Sequence, residues 1–456
     1  LELDEQEIRV LSPTAILGYG FPLDSFQNGI AKKPHVIAVD AGSSDPGPYY
    51  LGSGHSFTDR GAVKRDLEVI LTACCSAKIP LIVGSAGGAG ANKHLNWCLE
   101  IIREIASAHD LNFKLAAIEA EIPKDELLRR FELGDIKELP PGQEIRREDL
   151  ECSTAVVGQM GLEPFIEALT QGADVIVAGR SYDPSVFACY PIFKGYDPAL
   201  ALHMGKILEC ACIAATPGSG SDCMMGYLRK DHFCLEPMNE MRKCTTTSVA
   251  AHTLYEKSNP YLLPGPGGTL DLRETTFEQV GERIVKVSGS KFIQVRPYTI
   301  KIEGASLVGY RTVSIAGARD PIFIKQVNDI IQGVRERVKD NFKNLDGSYH
   351  LIFRLYGRNG VMNDLEPLKD STSHELGIII EAVAKSQEDA NTICSFARST
   401  LLHYGYPNRM STAGNLAIPY SPSDLKAGEV YRFCVHHLVE VYDPKELFSL
   451  NFEQIS

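Results

Sequence analysis

The sequence predicts an α/β fold, an N-terminal doubly wound, mostly parallel sheet followed by a smaller α+β domain. Three observations carry this. Short β-branched runs alternate with amphipathic helical stretches through the first half, the spacing of parallel strands with helices on both faces. That rhythm breaks near residue 216, where the chain turns rich in Gly and Pro. From about residue 284 longer, alternating strands take over. A chain of 456 residues exceeds one hydrophobic core, so two domains are expected. Their expected bounds are 1–283, with an irregular segment at 216–275, and 284–456.

Element by element, VIAV (36–39) reads as a buried strand. Thr58 is expected to cap a helix whose Val63, Leu67, Ile70, Cys74 and Ala77 share one face. LIVG (81–84) is the next strand, and 93–108 a helix with Leu95, Cys98, Ile102 and Ile105 inward. FKLAAIEAEI (113–122) reads as a third strand, and PKDELLRRFELG as a helix opening on proline. GLEPFIEALTQGAD is a helix leading into the strand of VIVAGR (175–180). In the second domain KFIQVRPYTIKIEGASLVGYRTVSIAG supplies strands and 321–342 a helix. HLIFRLYG and LGIIIEAVA are strands, Ser386 opens a helix with Asp389 in a capping box, and VYRFCVHHLVEV is the last strand.

The formal net charge is −12, which repels phosphate backbones and anionic membranes, so no nucleic acid or membrane partner is expected. No apolar run has the length of a membrane span. The first residues, LELDEQEIRV, are acidic and lack the apolar core of a signal peptide. The twelve cysteines include no C-x-x-C, so neither a zinc site nor a disulfide framework is expected. These features point to the cytoplasm, with an organelle matrix as the alternative. The apolar alternating strands of the second half suggest a homodimer.

Ligands of open parallel sheets sit beyond the carboxyl ends of the strands, and three such ends carry unusual residues. In DAGSSDPG, Asp40 and Asp45 are carboxylates suited to acid–base work, and the backbone at Ser43 and Ser44 could face a ligand; a plain Asx-type turn is the alternative. In VGSAGGAGAN, a strand runs through Gly84, Ser85, Gly87 and Gly88 into a helix, a geometry that can hold an anion or simply allow close packing. It lacks the G-x-G-x-x-G register of a dinucleotide site. In VAGRSYDPS, Arg180 either grips a substrate carboxylate or bridges to Asp183, with Tyr182 beside them. Further on, His252, Tyr255 and Glu256 are spaced to share a helix face, an acid–base group beside a Gly/Pro-rich loop. His436 and His437 alternate along a strand and cannot form one site.

Five blocks in this order, VDAGSSDPGPYYLGSG, VGSAGGAGAN, VAGRSYDPS, SVAAHTLYEKSNPYLLPGPGGTLDL and YPNRMSTAGNLAIPYSPSDL, resemble the acyclic terpene utilisation family of AtuA type. The resemblance spans roughly residues 8–443. It implies a small-molecule metabolic enzyme, a lyase of the hydratase/dehydratase kind acting on an acyl-CoA or a short hydroxy- or dicarboxylate. No separate cofactor is then required, CoA arriving as part of the substrate. The expected acids and bases are Asp40, Asp45, Asp183, His252 and Glu256, with Arg180 and the 84–88 backbone holding the anion. Two rivals are a phosphotransferase or ATPase using DAGS as a phosphate turn, and a non-catalytic ligand-binding subunit.

Overall fold

The computed structural model describes residues 7–142, 144–255, 259–345, 347–368, 371 and 373–456. It comprises two compact units, residues 1–306 with 433–456, and residues 307–432. The expected division at 283/284 thus falls at 306/307, and the chain returns to the first unit at 433. The reason is strand pairing: Val285–Ser288 lies antiparallel to His232–Pro237 and belongs to the first unit's sheet.

That sheet has ten strands. Its centre is five parallel strands in the order Ile8–Ser12, Val36–Asp40, Leu81–Gly84, Val175–Ala178, Phe113–Ile118. Antiparallel strands flank it on both sides: Met224–Leu228 beside Ile8–Ser12, and Leu450–Ile455 beside Phe113–Ile118. Leu81–Gly84 and Val175–Ala178 are apolar throughout, and Val36–Asp40 up to its last residue, because both faces are covered. Leu11, Ile37, Val39, Val83 and Val177 face a core formed with helices Arg60–Ala77 and Asn92–Ala108. Val10, Ala38, Ile82, Ile118 and Ala178 face the opposite core, with helices Glu163–Thr170, Asp183–Phe193 and Pro198–Leu208. The doubly wound arrangement is therefore present.

Local signals act as read, with small displacements. The cap of Arg60–Ala77 is Asp59, one residue after the expected Thr58, its carboxylate accepting the Ala62 N–H at 3.1 Å. A hydroxyl or carboxylate serves equally there. The strand 113–122 is shorter, Phe113–Ile118, which leaves Glu119 and Glu121 beyond its end.

In the second unit the strands Tyr349–Tyr356 and Leu376–Ala384 pair antiparallel, and Leu376–Ala384 pairs with residues 310–318 of Tyr298–Ala318. Helices Pro321–Asn341 and Gln387–His403 cover one face through Phe323, Val327, Val334, Ile393 and Leu401. Ser386 opens the latter helix as expected, its hydroxyl accepting the Asp389 N–H at 3.1 Å.

Gly84 ends its strand against helix Asp183–Phe193, where an added Cβ would lie 2.2 Å from Val186 Cγ2. Gly84→Ala is expected to destabilise by about 1–3 kcal/mol through overpacking. Val186→Ala in the same chain should recover much of that loss, measured as a coupling energy in urea unfolding.

Candidate active site

The neighbouring strands Leu81–Gly84 and Val175–Ala178 send their following helices to opposite faces of the sheet. Such divergence is where an open parallel sheet forms its ligand crevice. Arg180 stands two residues past the second of these strands and is only 3% exposed. Its Nε donates to Glu303 at 3.0 Å, and its Nη1 donates to Asp183 at 2.9 Å and to the Ser181 carbonyl at 2.8 Å. Lys301 meets the other Glu303 oxygen at 2.7 Å. Burial pushes the Glu303 carboxyl up, but the charges of Arg180 and Lys301 outweigh it and hold it down to about 2. Arg180 is thus engaged by the protein's own carboxylates. The internal bridge to Asp183, one of the two readings of Arg180, is present.

Ser85 adopts a left-handed backbone, φ 48°, a conformation non-glycine residues seldom hold. It sets the Ser85 hydroxyl to accept from Arg180 Nη1 and from the Ser181 N–H, both at 3.3 Å. Three N–H groups of the glycine loop expected to hold an anion go to backbone carbonyls. The N–H groups of Ser85 and Ala86 donate to the carbonyls of Gly179 and Ala178 at 3.1 and 2.9 Å, and that of Gly88 to Ser85 at 2.8 Å. The head of helix Asn92–Ala108 has its own anion, since the Asn92 N–H donates to Glu121 at 2.9 Å. Gly87 and Gly88 meet His94 and Phe57 closely. Ser85 therefore supports Arg180, and Gly84, Gly87 and Gly88 pack closely on their neighbours.

The 40–47 loop divides in two. The Ser43 hydroxyl donates to exposed Asp45 at 2.8 Å and accepts the Asp45 N–H at 3.2 Å, closing a small surface turn. Asp45 and Ser43 thus take the bland reading, and buried Ser44 accepts the Gly47 N–H through its carbonyl at 3.0 Å. Asp40, the last residue of its strand, is different. It is 6% exposed and its Oδ1 has no hydrogen-bond partner. Burial, reinforced by the negative charge of Asp183, lifts its carboxyl well above the usual range; Arg180 and the Gly42 N–H pull the other way with less effect. Asp40 keeps a proton where an ordinary aspartate has lost it.

Helix Pro198–Leu208 brings groups that sequence reasoning passed over. Every residue from Ala199 to Leu208 is buried, Lys206 included. The Lys206 ammonium donates to Glu209 at 2.5 Å and lies 5.2 Å from the centre of the Tyr255 ring. That ring in turn sits 4.8 Å from the ring of His252. His252 is buried, its Nε2 has no hydrogen-bond partner, and burial followed by the Lys206 charge pushes its imidazole down to about 4. Tyr182, at the cap of helix Asp183–Phe193, is close enough to Glu209, Lys206 and Asp183 to feel all three; burial, the largest effect, pushes its phenol up. The expected helix face through His252 and Tyr255 does not form. Helix Thr246–Leu254 stops first, Tyr255 being extended with ψ 162°. Glu256 lies outside the described residues. Beside Asp183, the buried Ser185 hydroxyl also has no partner.

Asp40, Ser85, Arg180, Tyr182, Asp183, His252 and Tyr255 thus belong to one neighbourhood with Lys206, Glu209 and Glu303, whereas Asp45 and Ser43 do not contribute to it. A signal for the missed pair existed: Lys206 and Glu209 are the only acidic or basic residues between Pro198 and Ala215, histidine aside. Among the described residues no cluster of His, Cys, Asp or Glu is arranged to hold a metal ion. No helix of the described residues is long and apolar enough to cross a membrane. The second unit carries a cleft of about 620 Å³ lined by Arg319, Asp320, Glu375, Tyr406, Met410 and Asn415 among others. Its Asp320 is spent on capping Pro321–Asn341 and on the Tyr406 hydroxyl, and no lining residue has a buried polar atom left over.

The family model of the acyclic terpene utilisation family protein AtuA matches residues 59–223 and 234–416. The chain belongs to this family. Neither a curated protein nor a solved structure matches it. In this AtuA-family chain Arg180, Lys206, Glu209, His252 and Glu303 lie within the matched residues, while Asp40 precedes them.

Arg180→Met leaves Glu303 with Lys301 alone and is expected to cost about 3–5 kcal/mol in urea unfolding at pH 7, the usual cost of stripping one partner from a buried pair. The folded carboxyl of Glu303 lies below its unfolded value. Its share of stability is therefore present above about pH 4.5 and is lost as pH falls toward about 2. Glu303→Gln should flatten that acid limb.

Proposed function

We propose that this chain is a lyase that removes or adds water beside the carbonyl of an acyl thioester. The observation that supports it is Asp40: a buried carboxyl at a central strand end, lifted far above its usual range, with an oxygen lacking any partner. In the elimination direction Asp40 gives its proton to the leaving hydroxyl while His252 Nε2 takes the α-proton. The C–H electron pair becomes the new C=C bond, the C–O bond breaks with its pair, and water departs. Asp40 is left as a carboxylate and His252 as an imidazolium, and a proton exchange between them through solvent resets the pair.

An acyl thioester suits these surroundings better than a short dicarboxylate. Arg180 is held by Asp183 and Glu303, and Lys206 by Glu209, so the neighbourhood offers little charge to balance two carboxylates. CoA then arrives with the substrate. The phosphate-turn reading draws no support from a loop whose Ser43 and Asp45 bond to each other.

With enoyl-CoAs as probes, hydration read by loss of enoyl absorbance should fall about 10²-fold or more in Asp40→Asn and in His252→Ala. Wild-type turnover in both would sink the reading. Turnover should also decline as pH rises through the lifted pKa of Asp40. Stability supplies an independent check. The folded chain keeps the Asp40 proton that the unfolded chain loses above about pH 4, so wild-type stability falls as pH rises through that interval. Asp40→Asn, neutral throughout, should therefore melt higher than wild type at pH 8.

A further inference from the structure

The second unit has a polar cavity of about 250 Å³, lined by helix Pro321–Asn341, strand Tyr349–Tyr356 and the turn that follows the strand. Asn328, Gln332 and Arg335 are spaced by four and three, so they share one face of the helix. Asn359 and Asn363 come from the turn. Backbone bonds fix that turn. The Leu355 carbonyl accepts the N–H groups of Arg358, Asn359 and Gly360 at 3.1, 3.1 and 2.8 Å, and the Asn359 carbonyl accepts that of Asn363 at 2.8 Å. None of the lining residues is acidic, in a chain whose net charge is −12.

We propose that this cavity binds a phosphate group, free or carried by a small ester, with Arg335 as its anchor and Asn328, Asn359 and Asn363 as hydrogen-bond partners. The site goes beyond the acid–base reading and stands without it. Three observations carry it. First, Arg335 is a half-buried cation that forms no ion pair with any described residue. Burial alone pulls its guanidinium below the usual arginine range, with no carboxylate opposing it. A charge taken out of water in this way is costly until an anion meets it. Second, the guanidinium is oriented. Its centre lies 5.0 Å from that of the Phe353 ring, and its Nη1 donates to the Leu351 carbonyl. Its Nε and Nη2 have no acceptor among the described residues, and these two form the side of the fork that grips an oxyanion. Third, the side-chain amides of Asn328, Asn359 and Asn363 make no hydrogen bond to a described residue. Gln332 differs, its amide donating to Glu336 at 3.0 Å. An arginine laid on a phenylalanine for packing accounts for the ring contact and Nη1, not for three idle amides around the rest of the fork. One planar fork satisfies a carboxylate, whereas donors from both a helix and a turn suit the several oxygens of a phosphate. The volume also exceeds several times the ~30 Å³ share of one water molecule, room for the ion and a short organic group.

The test is isothermal titration calorimetry of the full chain with inorganic phosphate, glycerol 3-phosphate and acetate at matched ionic strength. Phosphate should bind wild type, and acetate at least about 10-fold more weakly. Tighter binding of glycerol 3-phosphate supports the site with an ester as its occupant, and equal binding supports it with the free ion. Arg335→Gln should weaken phosphate at least about 10-fold, the loss of a charge-assisted bond. Asn363→Asp protects the result against a folding defect. Asn363 is exposed and left-handed, φ 54°, a conformation aspartate also tolerates, and the added negative charge should weaken phosphate at least about 10-fold. Arg337→Met removes an exposed cation paired with Asp340 at 3.7 Å, and it should bind as wild type does. Four results overturn the assignment: no heat from phosphate at millimolar concentration, wild-type affinity in Asn363→Asp or in folded Arg335→Gln, an equal loss in Arg337→Met, or acetate binding as tightly as phosphate.

Discussion

The ion cluster around Arg180 is the constraint on which the candidate site depends. A guanidinium buried to 3% exposure is tolerable only because Glu303 and Asp183 neutralise it, and Glu303 is tolerable only with Lys301 and Arg180 beside it. The cluster ties three segments far apart in sequence: the strand end at 178–183, the strained Ser85 turn, and the strand Tyr298–Ala318. Its charge also reaches Asp40. Arg180 pulls that carboxyl down while Asp183 and burial push it up, and the second influence wins. The same bridge that fixes the backbone therefore sets the neighbouring acid.

The neighbourhood separates its charges with some economy. Glu303 is firmly ionised and Asp40 holds its proton, although both are buried and both feel Arg180. Direct contact decides the difference: Glu303 receives bonds from two cations, and Asp40 receives none from either. Environments that push like groups apart in this way are a common arrangement where one chain must supply acid and base together.

Much of the fold was legible because the central strands are short, fully buried and β-branched. VIAVD, LIVG and VIVA announce themselves in that way, and their glycine-rich ends mark the turns. Ile8–Ser12 was not seen, since IRVLS is short and carries an arginine. Asp183–Phe193 and Pro198–Leu208 escaped for the opposite reason: they are apolar on nearly every side and have no stripe to read. In the site, Asp40, Arg180, Asp183 and His252 were visible as chemical residues at strand ends or beside loops. Which anion Arg180 would meet was not, because Glu303 lies 123 residues away and nothing local encodes that pairing. The glycine loop was ambiguous on sequence alone. Its sequence suits a ligand and suits close packing equally, and only the destinations of its N–H groups tell the two apart.

The antiparallel strand Leu450–Ile455 lies along Phe113–Ile118 with a register of six residue pairs. Between the two come the whole of the second unit and most of the first. During synthesis the edge of Phe113–Ile118 therefore leaves the ribosome long before its cover, as a buried-type apolar strand with an open row of backbone donors and acceptors. Such an edge invites pairing with another nascent chain. Hence the order in which this protein is made sets a period of vulnerability that its finished form conceals.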